Sequence, residues 1–172
     1  MSNWTHINCC VRGEFNEKKL EELFGKPILD YNSPDKFVYG SKKYINQSKK
    51  VNESYKQSKL PSGEEPLHYR LIKSKHYHNK KNRYECFDVD GDVLIIWGDL
   101  RWFEMSDKKQ YKQIEDIVKN ILKEFPFSVR QLTMQAYEEY SGKTYIWSSV
   151  FNENPTSIVL NHENKVVEDE QS

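Results

Sequence analysis

The spacing of apolar residues predicts a strand and then a helix at the start of the chain. Apolar and polar residues alternate between Thr5 and Phe15, which is the period of a half-buried strand. The apolar positions of this strand are Ile7, Cys9 and Val11. Next comes an apolar stripe at helical spacing, with Asn16 placed to cap it and Gly25 placed to end it. The stripe consists of Leu20, Leu23 and Phe24.

The regular pattern stops between residues 30 and 66. Lysine, asparagine, serine and glycine are interleaved there with single aromatic residues at no clean period. We predict a long loop or inserted basic arm, with room for helical turns between Ser41 and Lys59. Alternation returns from Leu67 to Lys75 and predicts another strand.

A hairpin is the clearest local prediction in the middle of the chain. Two strand-like runs, Arg83–Val89 and Asp92–Phe103, are joined by Asp90-Gly91, a dipeptide suited to a tight hairpin turn. The run Val93–Trp97 is apolar throughout. Such a run predicts a central strand that is covered on both faces.

The second half of the chain predicts a long helix and a further hairpin. Ser106 is the expected helix cap, Pro126 ends the element, and seven apolar residues between them follow helical spacing. Val129–Tyr140 and Lys143–Val150 both alternate and should pair around Ser141-Gly142. Residues 161–172 are polar and acidic, so a flexible tail is expected.

Together these elements predict an α+β protein. A mainly antiparallel sheet with two amphipathic helices on one face would bury both helical stripes, in a ferredoxin-like outline. With 172 residues, the chain has the length of one domain. We therefore predict a single domain over 1–160, with the basic arm inserted at about 30–66 and the acidic tail at 161–172.

Charge is unevenly distributed, although it cancels over the whole chain. Residues 36–83 contain 13 Lys or Arg and 3 Glu, a net charge of +10, while the rest of the chain is mildly acidic. Lysines interleaved with tyrosines could follow phosphates and stack on bases, as in grooves for single-stranded nucleic acid. The candidate residues are Lys42, Lys43, Tyr44, Lys49, Lys50 and Tyr55. The alternative interpretations are a solvated arm, an arm that docks on an acidic protein surface, and an arm that folds back on the acidic body of the same chain.

The sequence predicts a cytoplasmic protein without a structural disulfide. No apolar run approaches the roughly 18 residues of a membrane helix, and the start lacks the pattern of a secretory signal. Of the three cysteines, Cys9 and Cys10 are adjacent and should point to opposite faces of their strand. The third is Cys86.

No metal site or cofactor is expected. The candidate zinc ligands have a spacing that matches no closed zinc pattern, and they are His68, His76, His78 and Cys86. Asp88, Asp90 and Asp92 superficially resemble a calcium loop, but Gly91 stands at its fourth position rather than its sixth. We interpret these aspartates as turn-forming residues.

The chain also lacks the usual signatures of an enzyme. No nucleophile elbow, zinc-protease helix or phosphate-binding glycine loop is present. Paired carboxylates could come from the strand end or the second hairpin, but ion pairs with Arg101 or Arg130 explain them more simply. These carboxylates are Asp99, Glu104, Glu138 and Glu139. We therefore predict a protein without catalytic activity.

Two segments resemble small bacteriophage and prophage proteins of the Api92-like, ferredoxin-like group. One is the opening Met1-Ser2-Asn3-Trp4-Thr5-His6-Ile7, which runs into a strand and then Gly13. The other combines 97–101, Arg130-Gln131 and 138–147. The resemblance covers about half of the chain and implies a phage origin and a ferredoxin-like sheet. It supplies no catalytic residues.

The leading functional hypothesis is therefore a non-enzymatic, phage-encoded binding protein. Its role would be anti-defence, of the anti-CRISPR kind, in the host cytoplasm, where it would occlude a site on a host defence protein or nucleoprotein complex. The alternative is a single-stranded nucleic-acid-binding protein that uses the lysine and tyrosine arm. A cysteine- or metal-dependent enzyme is the third hypothesis. The expected binding residues are Tyr69, Arg70, Lys73, Arg101 and Trp102.

Overall fold

In the part of the chain that the structure describes, the fold is a mixed α+β structure dominated by one antiparallel sheet of seven strands. The computed structural model describes residues 3–28, 42–73 and 91–168. Its strands are β1 (Trp4–Gly13), β2 (His68–Ile72), β3 (Asp92–Arg101), β4 (Val129–Glu138), β5 (Thr144–Val150), β6 (Thr156–Leu160) and β7 (Val166–Val167). The helices within these residues are α1 (Glu17–Phe24), α2 (Lys42–Gln57) and α3 (Lys108–Glu124). The α+β class with an antiparallel sheet is confirmed, whereas the prediction of two helices missed α2.

The strands lie in the order β2-β3-β1-β4-β5-β6-β7, with every neighbouring pair antiparallel. Alternate residues of each strand point to opposite faces. One face, which we call the covered face, packs against α1 and α3 and contains the core. Its central positions are fully buried and include Cys9, Leu94, Ile96, Leu132 and Met134.

The first strand and helix form as the sequence predicts. In β1 the residues with odd numbers are buried and most of those with even numbers are exposed. The side chain of Asn16 accepts a hydrogen bond from the amide of Lys19, which caps α1. Gly25 ends the helix at φ 80°, a conformation that glycine adopts without a steric penalty.

The predicted arm contains a helix of 16 residues at the place where the sequence left room for helical turns. Helix α2 occupies much of it, and Val51 and Leu60 are buried. The chain after α2 lies beside the end of α1, because the amide of Lys59 donates to the carbonyl of Phe24. Single buried positions among lysines and asparagines give only a weak periodic signal, which is why the pattern indicated helical turns over 41–59 but not one continuous helix.

Strand β3 is central, but it is not covered on both faces as its apolar run predicted. Leu94 and Ile96 are buried on the covered face, whereas Val93 and Ile95 are half-buried and Trp97 is exposed on the other face. Its partners are β1 and β2. The first arm of the predicted hairpin, Arg83–Val89, lies outside the described ranges.

Helix α3 agrees with the prediction apart from its first residue. Asp107, not Ser106, is the cap, and its carboxylate accepts from the amide of Gln110. The buried stripe of α3 consists of Tyr111, Ile114, Ile117, Val118 and Ile121. None of the helices in the described residues is long and apolar enough to cross a membrane.

The second hairpin is confirmed and the tail prediction is wrong over its first part. Strands β4 and β5 pair around the predicted Ser141-Gly142 turn. Beyond β6, residues 161–165 turn the chain back so that Val166 and Val167 pair with Leu160 and Val159. A two-residue strand is too short to show alternation, so the pattern could not reveal it. The last four residues lie outside the described part.

Candidate binding surface on the open sheet face

The face of the sheet that points away from α1 and α3 is solvent-accessible, and we call it the open face. Its side chains form cross-strand rows that follow from the strand registers. The row at one end, which we call the acidic-end row, holds Tyr137, His6 and Asp99. Two middle rows follow: the first holds Gln135, Asn8, Trp97 and His68, and the second holds Thr133, Cys10, Ile95 and Arg70. The row at the other end, which we call the basic-end row, holds Val150, Gln131, Arg12, Val93 and Ile72.

Two pairs of stacked rings stand on the open face. Trp97 and His68 lie on neighbouring strands with ring centroids 5.5 Å apart and planes 20° apart. Tyr137 and His6 are 6.1 Å apart at 15°. Trp97 is 37% exposed and Tyr137 is 42% exposed, so part of each ring remains accessible to solvent. Rings held in this way by neighbouring side chains are ready to stack on a ligand.

His6 is held between two carboxylates at the acidic end of the face. Its Nδ1 lies 2.5 Å from Oδ1 of Asp99 and its Nε2 lies 2.7 Å from Oε1 of Glu139. Burial lowers the pKa of His6, but the hydrogen bonds and negative charges of both carboxylates outweigh that effect and raise it above its ordinary 6.5. Both ring nitrogens therefore donate when the ring is protonated. With neither nitrogen free, His6 is poorly placed to act as a general base.

The His6 cluster predicts a specific pH dependence of stability. Because the folded-state pKa is raised, its contribution is fully present below pH 6.5 and is lost as pH rises through the folded-state pKa. The cluster is partly exposed, so the contribution should be at most about 1 kcal/mol. The measurement is the free energy of unfolding in urea across this range, for the wild type and His6→Gln. The difference in the free energy of unfolding between the wild type and His6→Gln should become smaller as pH rises. A difference that does not change with pH would refute the stabilising role of protonated His6.

The predicted residues Arg101 and Trp102 lie together beyond the acidic end of the open face. The guanidinium of Arg101 sits over the rings of Trp4, at 5.6 Å, and Trp102, at 5.2 Å. Its Nη1 pairs with Glu64 at 2.5 Å. Trp102 is exposed. Arg101 is thus held by neighbours from three segments, and Glu64 neutralises part of its charge.

The other predicted binding residues separate in the structure. Arg70 is exposed on the open face. Lys73 donates to the carbonyl of Phe15 and to Asp92, so it joins two elements of the fold. Tyr69 is buried and its hydroxyl donates to the carbonyl of Gly25, while burial and the charge of Glu21 raise its pKa to about 12. Tyr69 is therefore a core residue and not a surface contact.

The residues predicted for nucleic-acid binding on the arm belong to α2. Lys42, Lys49 and Lys50 are exposed there, and Tyr55 is half-buried. The side chains of Lys43 and Tyr44 lie outside the described part. The lysines of α2 thus present charge to solvent, and its described tyrosine is only partly accessible.

A groove lies at the basic end of the open face. It is lined by Arg12, Arg130, Gln131, Val150 and Phe151. Phe151 is 75% exposed at the turn after β5 and has a positive φ of 50°. The open face therefore has acidic side chains at one end and arginines beside an exposed ring at the other.

The carboxylates and thiols considered for chemistry have separate structural settings. Asp99 and Glu139 bind His6 rather than an arginine, and Glu138 is buried. Cys9 is buried, which raises the pKa of its thiol, whereas Cys10 is exposed on the open face. Opposite orientations of the two cysteines are thus confirmed.

The candidate metal ligands do not assemble within the described residues. His68 stacks on Trp97, and His76, His78 and Cys86 lie outside the described ranges. Asp92 accepts from the amide of Phe15, while Asp88 and Asp90 also fall outside those ranges. Over residues 3–28, 42–73 and 91–168, no three His, Cys, Asp or Glu side chains form a possible metal site.

Sequence reasoning did not find the open face as a site. The apolar run of β3 indicates that Trp97 is buried, and no sequence pattern indicates the groove beside Phe151. The polar residues that alternate with apolar ones in β1 and β4, among them Asn8, Thr133 and Gln135, do indicate a solvent-facing side of the sheet. The strand order then places Trp97 on that same side.

In comparisons with known proteins, no family model, curated protein or solved structure matches this chain.

Proposed function

We propose that this protein is a non-enzymatic binding protein and that the open face is its contact surface. The observation that carries the proposal is the asymmetry of the sheet. One face is buried under α1 and α3, while the other presents two stacked ring pairs to solvent. Exposed aromatic residues beside arginines are the residue types that most often anchor partners.

The proposed role is anti-defence: the protein occludes a site on a host nucleoprotein complex. The charge pattern of the open face supports a nucleoprotein partner, because arginines and carboxylates stand at opposite ends of it. The two nitrogens of His6 are both engaged, which favours binding over acid-base chemistry at this cluster.

A ferredoxin-like core is part of the same proposal. The first four strands and two of the helices follow the chain order β1-α1-β2-β3-α3-β4, and the strands lie in the order β2-β3-β1-β4. This arrangement supports a ferredoxin-like unit with α2 inserted after α1 and three strands added beyond β4. The added strands widen the open face, which makes room for an extended partner.

The test is a phage-plating assay in hosts that each carry one nucleic-acid-targeting defence system. Wild-type protein should restore plating in at least one host, and Trp97→Ala with Tyr137→Ala should abolish that effect. Tyr140→Ala is the matched control, since Tyr140 is an exposed ring in the β4–β5 turn. All variants should keep the wild-type melting curve by circular dichroism.

Two results would contradict the proposal. If wild-type protein changes plating in no host, the anti-defence role is wrong. If the double variant protects as well as the wild type, the open face is not the contact surface.

A further inference from the structure

We propose that the basic half of the open face binds single-stranded nucleic acid, with bases stacked on Trp97 and Phe151 and phosphates beside Arg70 and Arg12. The inference rests on the proposed function, because it names the ligand of the same surface. It moves the nucleic-acid site from the lysines of α2 to the sheet.

An arginine lies near an aromatic ring at two positions of the open face. Arg70 is two residues along β2 from His68, the cross-strand partner of Trp97. From the usual strand spacing and rise, the Cα atoms of Trp97 and Arg70 lie about 8 Å apart. At the far end, Arg12 and Phe151 line one groove. A ring and a guanidinium thus recur together at two positions.

The polar side chains between these positions suit base edges. Asn8 is the cross-strand neighbour of both Trp97 and Gln135, and both amides are exposed. Side-chain amides can donate and accept at once, so they can pair with the edge of an unstacked base. Stacking on a ring together with such hydrogen bonds is the usual way in which proteins hold single-stranded nucleic acid.

The charges on the open face favour binding of the nucleic acid to the half that contains Arg12 and Arg70. Asp99 and Glu139 place two negative charges against the single positive charge of His6 at the acidic end. An anionic ligand is disfavoured there. Arg12 in the basic-end row and Arg70 in the neighbouring middle row make the other half positive, and the described ion pairs of the molecule include neither of them. The phosphates should therefore follow the arginines.

The experiment measures binding of fluorescently labelled DNA and RNA of mixed sequence, about 12 nucleotides long, by anisotropy across a salt series. Trp97→Ala and Phe151→Ala should each weaken binding about tenfold. Arg12→Gln and Arg70→Gln should each reduce the slope of log affinity against log salt by about 0.7. The controls Tyr140→Ala and Lys109→Gln, a lysine of α3, should bind like the wild type.

Several outcomes would overturn the inference. One is the absence of binding by the wild type at about 25 mM salt, where electrostatic contacts are strongest. Another is loss of binding in Lys49→Gln with Lys50→Gln while the ring variants bind normally, which would place the site on α2. If Trp97→Ala and Phe151→Ala unfold, Arg12→Gln and Arg70→Gln still test the inference, because both arginines are exposed. An unchanged salt slope in these two variants would refute the phosphate contacts.

The plating assay separates this inference from the proposed function. Suppose that no oligonucleotide binds, yet wild-type protein restores plating and the Trp97 and Tyr137 double variant does not. The open face then contacts a protein, and only the nucleic-acid inference is wrong. Nucleic-acid binding without any effect on plating would instead refute the anti-defence role alone.

Discussion

Replacing Trp147 with alanine should lower the free energy of unfolding by about 3–5 kcal/mol, the usual cost of removing a large buried ring. Trp147 is 2% exposed at the centre of β5. Its ring packs against Tyr111 of α3, with centroids 5.7 Å apart, and Tyr145 of β5, at 6.4 Å. Its loss would leave a cavity where α3 meets the sheet. Urea unfolding monitored by circular dichroism measures the effect.

Trp147→Phe is the matched control for this prediction. The indole Nε1 of Trp147 is buried and has no hydrogen-bond partner within the described part of the chain. Phenylalanine removes that unpaired donor while it keeps most of the ring. It should therefore cost about 1–2 kcal/mol, well below the alanine variant. Equal losses for the two variants would mean that ring packing is not what Trp147 contributes.

The second large effect is expected at Glu138, where alanine should destabilise the fold by about 3 kcal/mol. Glu138 is 3% exposed. Its Oε2 accepts from Nδ2 of Asn3, at 3.0 Å, and from the amide of Met105, at 2.8 Å. Its Oε1 accepts from the hydroxyl of Ser141 at 2.7 Å. Alanine would leave these donors without their acceptor, and urea unfolding at neutral pH measures the loss.

Glu138→Gln tests whether the hydrogen-bond acceptors of Glu138 or its negative charge stabilise the fold. The glutamine oxygen can take the place of Oε2, and the hydroxyl of Ser141 can reverse and accept from the new amide group. We expect this variant to lose much less stability than the alanine variant. Glu139→Ala provides a comparison at the exposed neighbour, with at most about 1 kcal/mol lost. A glutamine variant as unstable as alanine would show that the negative charge is required.

The Glu138 network also explains why its role was missed in the sequence. From the sequence, the same role is predicted for Glu138 and Glu139, namely an ion pair with Arg101 or Arg130. The alternation of β4, however, places Glu138 on the covered face, whereas Glu139, just beyond the strand, binds His6 of the open face. Glu138 then meets donors from the start of the chain and from the β3–α3 connection, which are far away in sequence. Only the folded chain brings them together.

The open face shows the same division between local and non-local information. Alternation in β1 and β4 correctly predicts which side chains avoid the core, because a period of two is a property of the strand itself. It does not predict that Asn8 lies between Trp97 and Gln135. That neighbourhood depends on strand order and register, which connect residues about 90 to 130 positions apart.

What the sequence determined by itself was therefore local: β1, α1, α3, the β4–β5 hairpin and the α+β class, since each depends on the period or capping of a contiguous segment. The sequence left room for helical turns over 41–59, but the tertiary structure alone decided that they form one helix around a few buried positions. It also decided that β7 pairs at the sheet edge and that Tyr69 belongs to the core. It also decided that His6 sits between Asp99 and Glu139. These outcomes rest on contacts between distant segments, whose energies no local pattern records.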